Sequence, residues 1–226
     1  MYDWVDFTHN HLAGQCPHLC QYCSTQDLAR RFPAMAERYS GPPRLIKKEL
    51  VVNYGTGKTI FIENCSDLFA EGIAGNWICD ILEHCRDYSD NTYVFQTKNP
   101  GAINNFSKIF FPPRLMIGTT AESNRPYLGM SKAPPPSERL RTFMDIGIKQ
   151  KYKFITIEPI LRFDLVDFCQ LLTWADAGTI YIGADSKNHG LPEPTSGEIG
   201  DLIKALQDAG KTVVLKSNLK RLYKGA

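Results

Sequence analysis

Seven short, near-continuous apolar runs punctuate this chain, and several of the stretches between them repeat with a helical period. The runs cover residues 4–8, 59–64, 93–97, 115–119, 154–158, 179–184 and 212–216. Runs that are apolar on both faces suit parallel strands covered above and below by helices. Between them, Ile73, Trp77, Ile78, Ile81, Leu82 and Cys85 fall on one helical stripe, and Ile199, Leu202, Ile203 and Leu206 stand at offsets 0, 3, 4 and 7. Ser137 and Glu138 can open a helix that runs through Met144, and Gly210 can close the one that starts at Glu198. Strand followed by helix, repeated, is parallel β/α architecture. In 226 residues the pattern predicts a single α/β domain over residues 1–226. The expected form is a partial (β/α)6 TIM-like barrel, with 212–216 as a seventh, C-terminal strand. A doubly wound sheet is the competitor.

Composition narrows the function classes. A hydrophobic content of 43%, a charged content of 22% and a formal net charge of +2 are those of a globular protein without a strongly basic coat. No apolar run approaches the ~18 residues a membrane span needs. Asp3 and Asp6 in the opening residues are unlike the cationic flank of a signal peptide, so a cytoplasmic location is expected. There are no internal repeats, and the short proline clusters at 42–43, 112–113 and 134–136 read as loops. Seven cysteines in such a chain point to metal binding rather than a disulfide framework.

Nearly every predicted strand ends in polar residues: Asn64, Ser66 and Asp67; Gln96, Thr97 and Lys98; Thr119, Thr120 and Glu122; Glu158; Asp185, Ser186 and Lys187; Lys216, Ser217 and Asn218. In parallel β/α folds that end of the sheet receives ligands. For any one residue, a simple end to the apolar run explains it as well.

The densest motif is Cys16-Pro17-His18-Leu19-Cys20-Gln21-Tyr22-Cys23, a C-x3-C-x2-C spacing that follows the first strand-like run. Three thiolates from one tight loop can face one centre. Three readings compete: zinc completed by His9, His11 or His18; a four-iron, four-sulfur (4Fe-4S) cluster with one iron open to a small molecule; and a group of buried thiols that bind nothing.

With Tyr22 before its last cysteine, this loop resembles the cluster loop of the radical SAM superfamily. The segments Asn64-Cys65-Ser66-Asp67-Leu68-Phe69, Gln96-Thr97-Lys98-Asn99-Pro100, Ile117 to Ser123, Ile157-Glu158-Pro159 and Ile182-Gly183-Ala184-Asp185 resemble a phage-associated radical SAM family that is in turn similar to spore photoproduct lyase. The resemblance implies a radical SAM barrel in which Cys16, Cys20 and Cys23 hold the 4Fe-4S cluster and the open iron chelates S-adenosylmethionine. One-electron cleavage then yields a 5′-deoxyadenosyl radical. It implies that Tyr22 packs near the adenine, and that Ser66 and Asp67 stand where the superfamily has a Gly-Gly-Glu motif for the amino group, with Asn64 beside them as a further cofactor-binding candidate. Lys98 would meet the carboxylate. Thr119, Thr120 and Glu122 would contact the carboxylate or ribose, with Glu158 and Asp185 at the same mouth. It further implies a flavodoxin- or ferredoxin-type reductant and a substrate that is a small molecule or derived from nucleic acid.

Cys65 beside Ser66 is a candidate hydrogen-atom donor or, more plainly, a buried small hydrophobe. Cys79, Cys85 and Cys169 read as core. His9 and His11 are two apart and so share a strand face, which suits packing or positioning; His84 and His189 carry no signal. Gly55-Thr56-Gly57-Lys58-Thr59 lacks the first glycine and the following helix of a phosphate loop, so it reads as a turn. Lys211, Lys216, Lys220, Arg221 and Lys224 form a basic terminus that reads as a solvated face or as contacts for phosphates. Two other classes of function stay open: a zinc-stapled nucleic-acid-binding protein, and an iron–sulfur protein for electron transfer or redox sensing.

Overall fold

The computed structural model describes residues 2–225. In chain order the elements are β1 (Phe7–His9), β2 (Leu12–Ala13), α1 (Ser24–Arg31), α2 (Pro33–Tyr39), β3 (Arg44–Leu45), β4 (Thr59–Ile62), α3 (Gly75–Asp87), β5 (Thr92–Thr97), β6 (Leu115–Thr120), α4 (Pro136–Met144), β7 (Lys153–Ile157), α5 (Leu165–Trp174), β8 (Thr179–Ile182), α6 (Ser196–Asp208) and β9 (Thr212–Leu215). All seven predicted strands are present, joined in one sheet of order β1-β4-β5-β6-β7-β8-β9, while β2 and β3 pair antiparallel. The β1–β4, β4–β5, β7–β8 and β8–β9 pairs are parallel. The order follows the chain without reversal, whereas a doubly wound sheet reverses at a switch point. That removes the competing topology.

The chain divides into two compact units, Met1–Ile117 with Ser131–Ala133 and Gly118–Met130 with Pro134–Ala226. In the first, consecutive Tyr93, Val94 and Phe95 of β5 are all buried; in the second, so is every residue of β7. Burial on both faces is why these strands read as unbroken apolar runs. Gly118 makes room for an aromatic ring, since a Cβ there would lie 2.2 Å from Phe154.

Several boundaries differ from expectation, the run 179–184 for one ending at Ile182. The first strand is Phe7–His9, because Val5 N–H bonds back to Tyr2, whose ring stacks on Trp4 at 5.2 Å. Pairing with β4 begins at Asp6, which donates to Thr59 O at 2.9 Å and accepts from Thr59 N at 2.7 Å. The run 59–64 stops at Ile62, because Glu63 adopts φ +61° and leaves the extended region. Asn64 therefore lies in the following turn. Helix α4 starts at Pro136, whose ring suits the first helical position, and not at Ser137. Helix α6 starts at Ser196 because Thr195 and Glu198 form a capping box. No α-helix joins β5 to β6; two 3-10 turns, Pro100–Asn105 and Lys108–Phe110, replace it in a segment rich in proline and glycine.

Candidate functional site

The cysteine loop leaves β2 through Gly14, whose φ of +89° and tight approach to Pro42 (a Cβ would sit 2.1 Å from its carbonyl oxygen) admit no side chain. Cys23 closes the loop as the residue capping α1. Cys16, Cys20 and Cys23 are free thiols, partly exposed. Burial, with the Asp67 carboxylate and then the other two thiols adding to it, pushes Cys16 up to about 12. Burial likewise raises Cys23, with Cys20 adding to it. Cys20 Sγ lies 3.3 Å from Ser131 Oγ.

His18, inside the loop, is buried. Its Nε2 lies 2.8 Å from Asp67 Oδ2, which also accepts from Lys98 N at 2.7 Å, while Oδ1 accepts from Phe69 N at 3.0 Å. Burial alone would raise the Asp67 carboxyl, but bonds from His18, the Lys98 amide and the Thr97 side chain bring it below the usual carboxylate range. Lys98 Nζ lies 3.3 Å from Tyr22 Oη and 5.2 Å from the ring centre. The loop after β4 carries Cys65, whose amide donates to Asn10 Oδ1 at 2.8 Å; burial, with Cys65 adding to it, raises the Tyr39 hydroxyl. Ser66 is partly buried and Asn64 exposed.

The second unit holds the remaining predicted site residues. Thr119, Thr120, Glu122 and Asp185 are buried, and Glu158 is partly so. Glu122 and Arg139 pair at 3.0 and 3.2 Å, and the same guanidinium donates to Thr120 O at 2.9 Å and Oγ1 at 3.0 Å. Glu158 accepts from Lys216 and, at 2.6 Å, from Asn218 Nδ2. Asp185 closes its own loop, accepting from Lys187 N at 3.0 Å and meeting His189 Nδ1 at 2.7 Å.

Sequence reading missed Arg139, His18's partner, and a buried polar network. His11 lies beyond the end of β1, not on it, though its ring still meets that of His9 edge-on at 4.5 Å. Its Nδ1 is 3.0 Å from Glu63 Oε1 and its Nε2 is 3.0 Å from both His84 Nδ1 and Tyr54 Oη. His84 Nε2 then reaches Val52 O at 2.9 Å. Neither Arg139, one polar residue among those of its helix, nor the histidine network has a local signal in the sequence. Of the basic terminus, Lys216 pairs with Glu158, Arg221 with Glu193, and Lys211 Nζ reaches Ala177 O at 3.3 Å. Gly55 and Gly57 lie at φ +65° and +72° in the turn before β4. Of the three cysteines read as core, Cys85 is fully buried, and Cys79 and Cys169 are partly so.

The donor set fits a 4Fe-4S cluster: three free thiols on one loop. His18 Nε2 is bonded to Asp67 and both ring nitrogens of His11 are engaged elsewhere, while the buried Nε2 of His9 has no hydrogen-bond partner among the described residues. Among the described residues no three His, Cys, Asp or Glu side chains converge on a single-ion position. Among the described residues no helix is long and apolar enough to cross a membrane.

A family model described as protein of unknown function (DUF5131) matches residues 1–179. No curated protein matches the chain. Solved structures of spore photoproduct lyase share the fold. One, complexed with dinucleoside spore photoproduct, has TM-score 0.58 at 11% identity over 90% of this chain and 74% of that one. A cysteine-to-serine variant of the lyase has TM-score 0.60 at 11% identity over 95% and 77%. A double variant with bound AdoMet and dinucleoside spore photoproduct has TM-score 0.52 at 13% identity over 88% and 60%.

Proposed function

We propose, for a chain that belongs to the family described as protein of unknown function (DUF5131), that it is a radical SAM enzyme. The observation that carries the reading is the position of three free thiols on one loop between the first strand of a parallel β/α sheet and the helix that follows. The fold it shares with spore photoproduct lyase, one structure of which has AdoMet bound, supports it. Cys16, Cys20 and Cys23 are the ligands, residues 1–226 act as one catalytic domain, and its sheet is the wall of a partial barrel. The 4Fe-4S cluster with bound S-adenosylmethionine supplies one-electron cleavage to a 5′-deoxyadenosyl radical.

The remaining roles belong to the chain. Lys98 is the point charge for the methionine carboxylate. Tyr22, held by Lys98, offers its ring to the adenine, and Ser66 and Asn64 lie on the loop assigned to the amino group. In the second unit Thr119, Thr120 and Glu122, stiffened by Arg139, and the loops of Glu158 and Asp185 are assigned to ribose and substrate. Cys65, on the same loop as Ser66, is assigned as hydrogen-atom donor. The lyase's bound dinucleoside directs the substrate proposal to a nucleobase, nucleotide or nucleic acid; this is analogy at the level of fold. The reductant is a flavodoxin- or ferredoxin-type protein of the cytoplasm.

The test is anaerobic purification and reconstitution, iron and sulfide analysis, then incubation with S-adenosylmethionine and dithionite. The expected result is about four irons per chain and release of 5′-deoxyadenosine, both lost in Cys16→Ala, Cys20→Ala and Cys23→Ala. Stoichiometric zinc without iron, or an intact cluster that yields no cleavage product, would overturn the reading. Unchanged product distribution in Cys65→Ala removes that residue from the mechanism.

A further inference from the structure

We propose that His18 and Asp67 are positioning residues that set the geometry of the cysteine loop for its cluster, and that Asp67 serves the loop rather than the bound S-adenosylmethionine. The inference rests on the function proposed above and goes beyond it. His18 stands midway between Cys16 and Cys20 and is anchored at both ends. Its side chain reaches Asp67 at 2.8 Å. Its carbonyl accepts from Lys132 N at 2.7 Å and Ser131 Oγ at 3.1 Å, and the same hydroxyl lies 3.3 Å from Cys20 Sγ. The next residue, Leu19, takes φ +47°, in the left-handed region that a branched side chain avoids. Such a turn persists where its surroundings hold it, and here the residue before it is pinned at side chain and carbonyl.

Asp67 is the other half of the clamp. A carboxylate offers about four acceptor directions. Three of those of Asp67 go to His18, the Lys98 amide and the Phe69 amide. It thereby ties the cysteine loop to the loops that follow β4 and β5, and most of its acceptor capacity is committed within the protein. Partners one bond removed from metal ligands orient them, and their loss typically costs about 10–100-fold in metal affinity.

The test compares wild type, His18→Ala, His18→Gln, His18→Asn and Asp67→Asn after reconstitution. The readouts are the rate at which a chelator strips iron, the electron paramagnetic resonance spectrum of the reduced cluster, S-adenosylmethionine binding, and melting of the apo-protein. His18→Ala is expected to lose iron about ten-fold faster or more, with a broadened spectrum; it also deprives the buried Asp67 carboxylate of a partner, so its apo-protein melts lower, and iron loss is compared at a temperature where both apo-proteins are folded. His18→Gln, whose amide can still donate to Asp67, restores most of the retention. Asp67→Asn follows His18→Ala in iron loss. Should His18→Ala fail to fold, His18→Gln against the shorter His18→Asn carries the comparison. Wild-type retention in His18→Ala overturns the clamp alone. So does Asp67→Asn that keeps its iron while S-adenosylmethionine binding weakens, which is the mark of a direct ligand contact. Wild-type protein that takes up no iron overturns the proposed function, and the clamp with it.

Discussion

Arg139 is a guanidinium carried by a helix into a buried position, its side chain 3% exposed against Glu122 at 5%. Such a pair is held by its geometry, because each charge has given up water and regains it only through the other. Removing one partner strands the second. Arg139→Met is therefore expected to cost about 3–5 kcal/mol in urea unfolding, and the double variant with Glu122→Gln to recover most of it. Equal losses in the single and double variants would contradict the pairing. Glu122 was visible in the sequence as a polar residue after a strand. Arg139 was not, because nothing in a helical stripe says that one of its polar members turns inward. Likewise Asp67 was legible as a site residue, while its bond to His18 spans 49 positions and has no local signature.

At the level of elements, the period of the apolar residues told strand from helix, and the seven strands came through at their expected places. Their ends did not, because ends are set by single bonds. Examples are the Asp6–Thr59 pair, the positive φ of Glu63 and the Thr195 capping box. The entry to the cysteine loop depends on one such detail. Gly14 combines φ +89° with backbone atoms of Pro42 where a Cβ would stand. In Gly14→Ala the left-handed backbone alone costs about 1–2 kcal/mol, which at about 2–4 °C per kcal/mol lowers the melting temperature by several degrees. Close approach to Pro42 adds to that, and iron loading should fall as the loop shifts. Calorimetry and iron analysis of this variant test both. A variant that melts and loads as wild type would show that the chain relaxes around the added methyl.

For the molecule as a whole, the buried network in the first unit ties stability to pH. The contacts Glu63–His11, His11–His84 and His84–Val52 C=O each need one proton. A carboxylate and two neutral imidazoles supply two, so the closed network holds one more. Burial places it: Glu63 is raised to about 7, and His11 is lowered to about 3 by burial and then by His84. His9, Tyr54, Glu49, Arg38, Tyr39, Cys85, Asp87 and Tyr88 are among the other ionisable groups around it. Because the folded value of Glu63 lies above its ordinary 4.5, its contribution is complete below that pH and fades as pH rises through about 7. His11 acts oppositely, losing its contribution as pH falls from about 6.5 toward 3. Glu63→Gln mimics the protonated acid. It should match wild type near pH 5 and exceed it near pH 8 by an amount on the order of 2 kcal/mol. Melting curves across that range check it, and a constant gap between the two proteins would rule it out.

By itself the sequence determined the β/α alternation and the three-thiol loop, because burial of a strand or helix face and the spacing of ligands within one loop are local patterns. Tertiary structure alone decided that the strands run in chain order without reversal. It also decided which polar residues are already spoken for: Asp67 by His18, Glu122 by Arg139, Glu158 by Lys216 and Asn218. Those pairings depend on where the backbone carries residues tens of positions apart, and a periodicity confined to one element holds no record of that path.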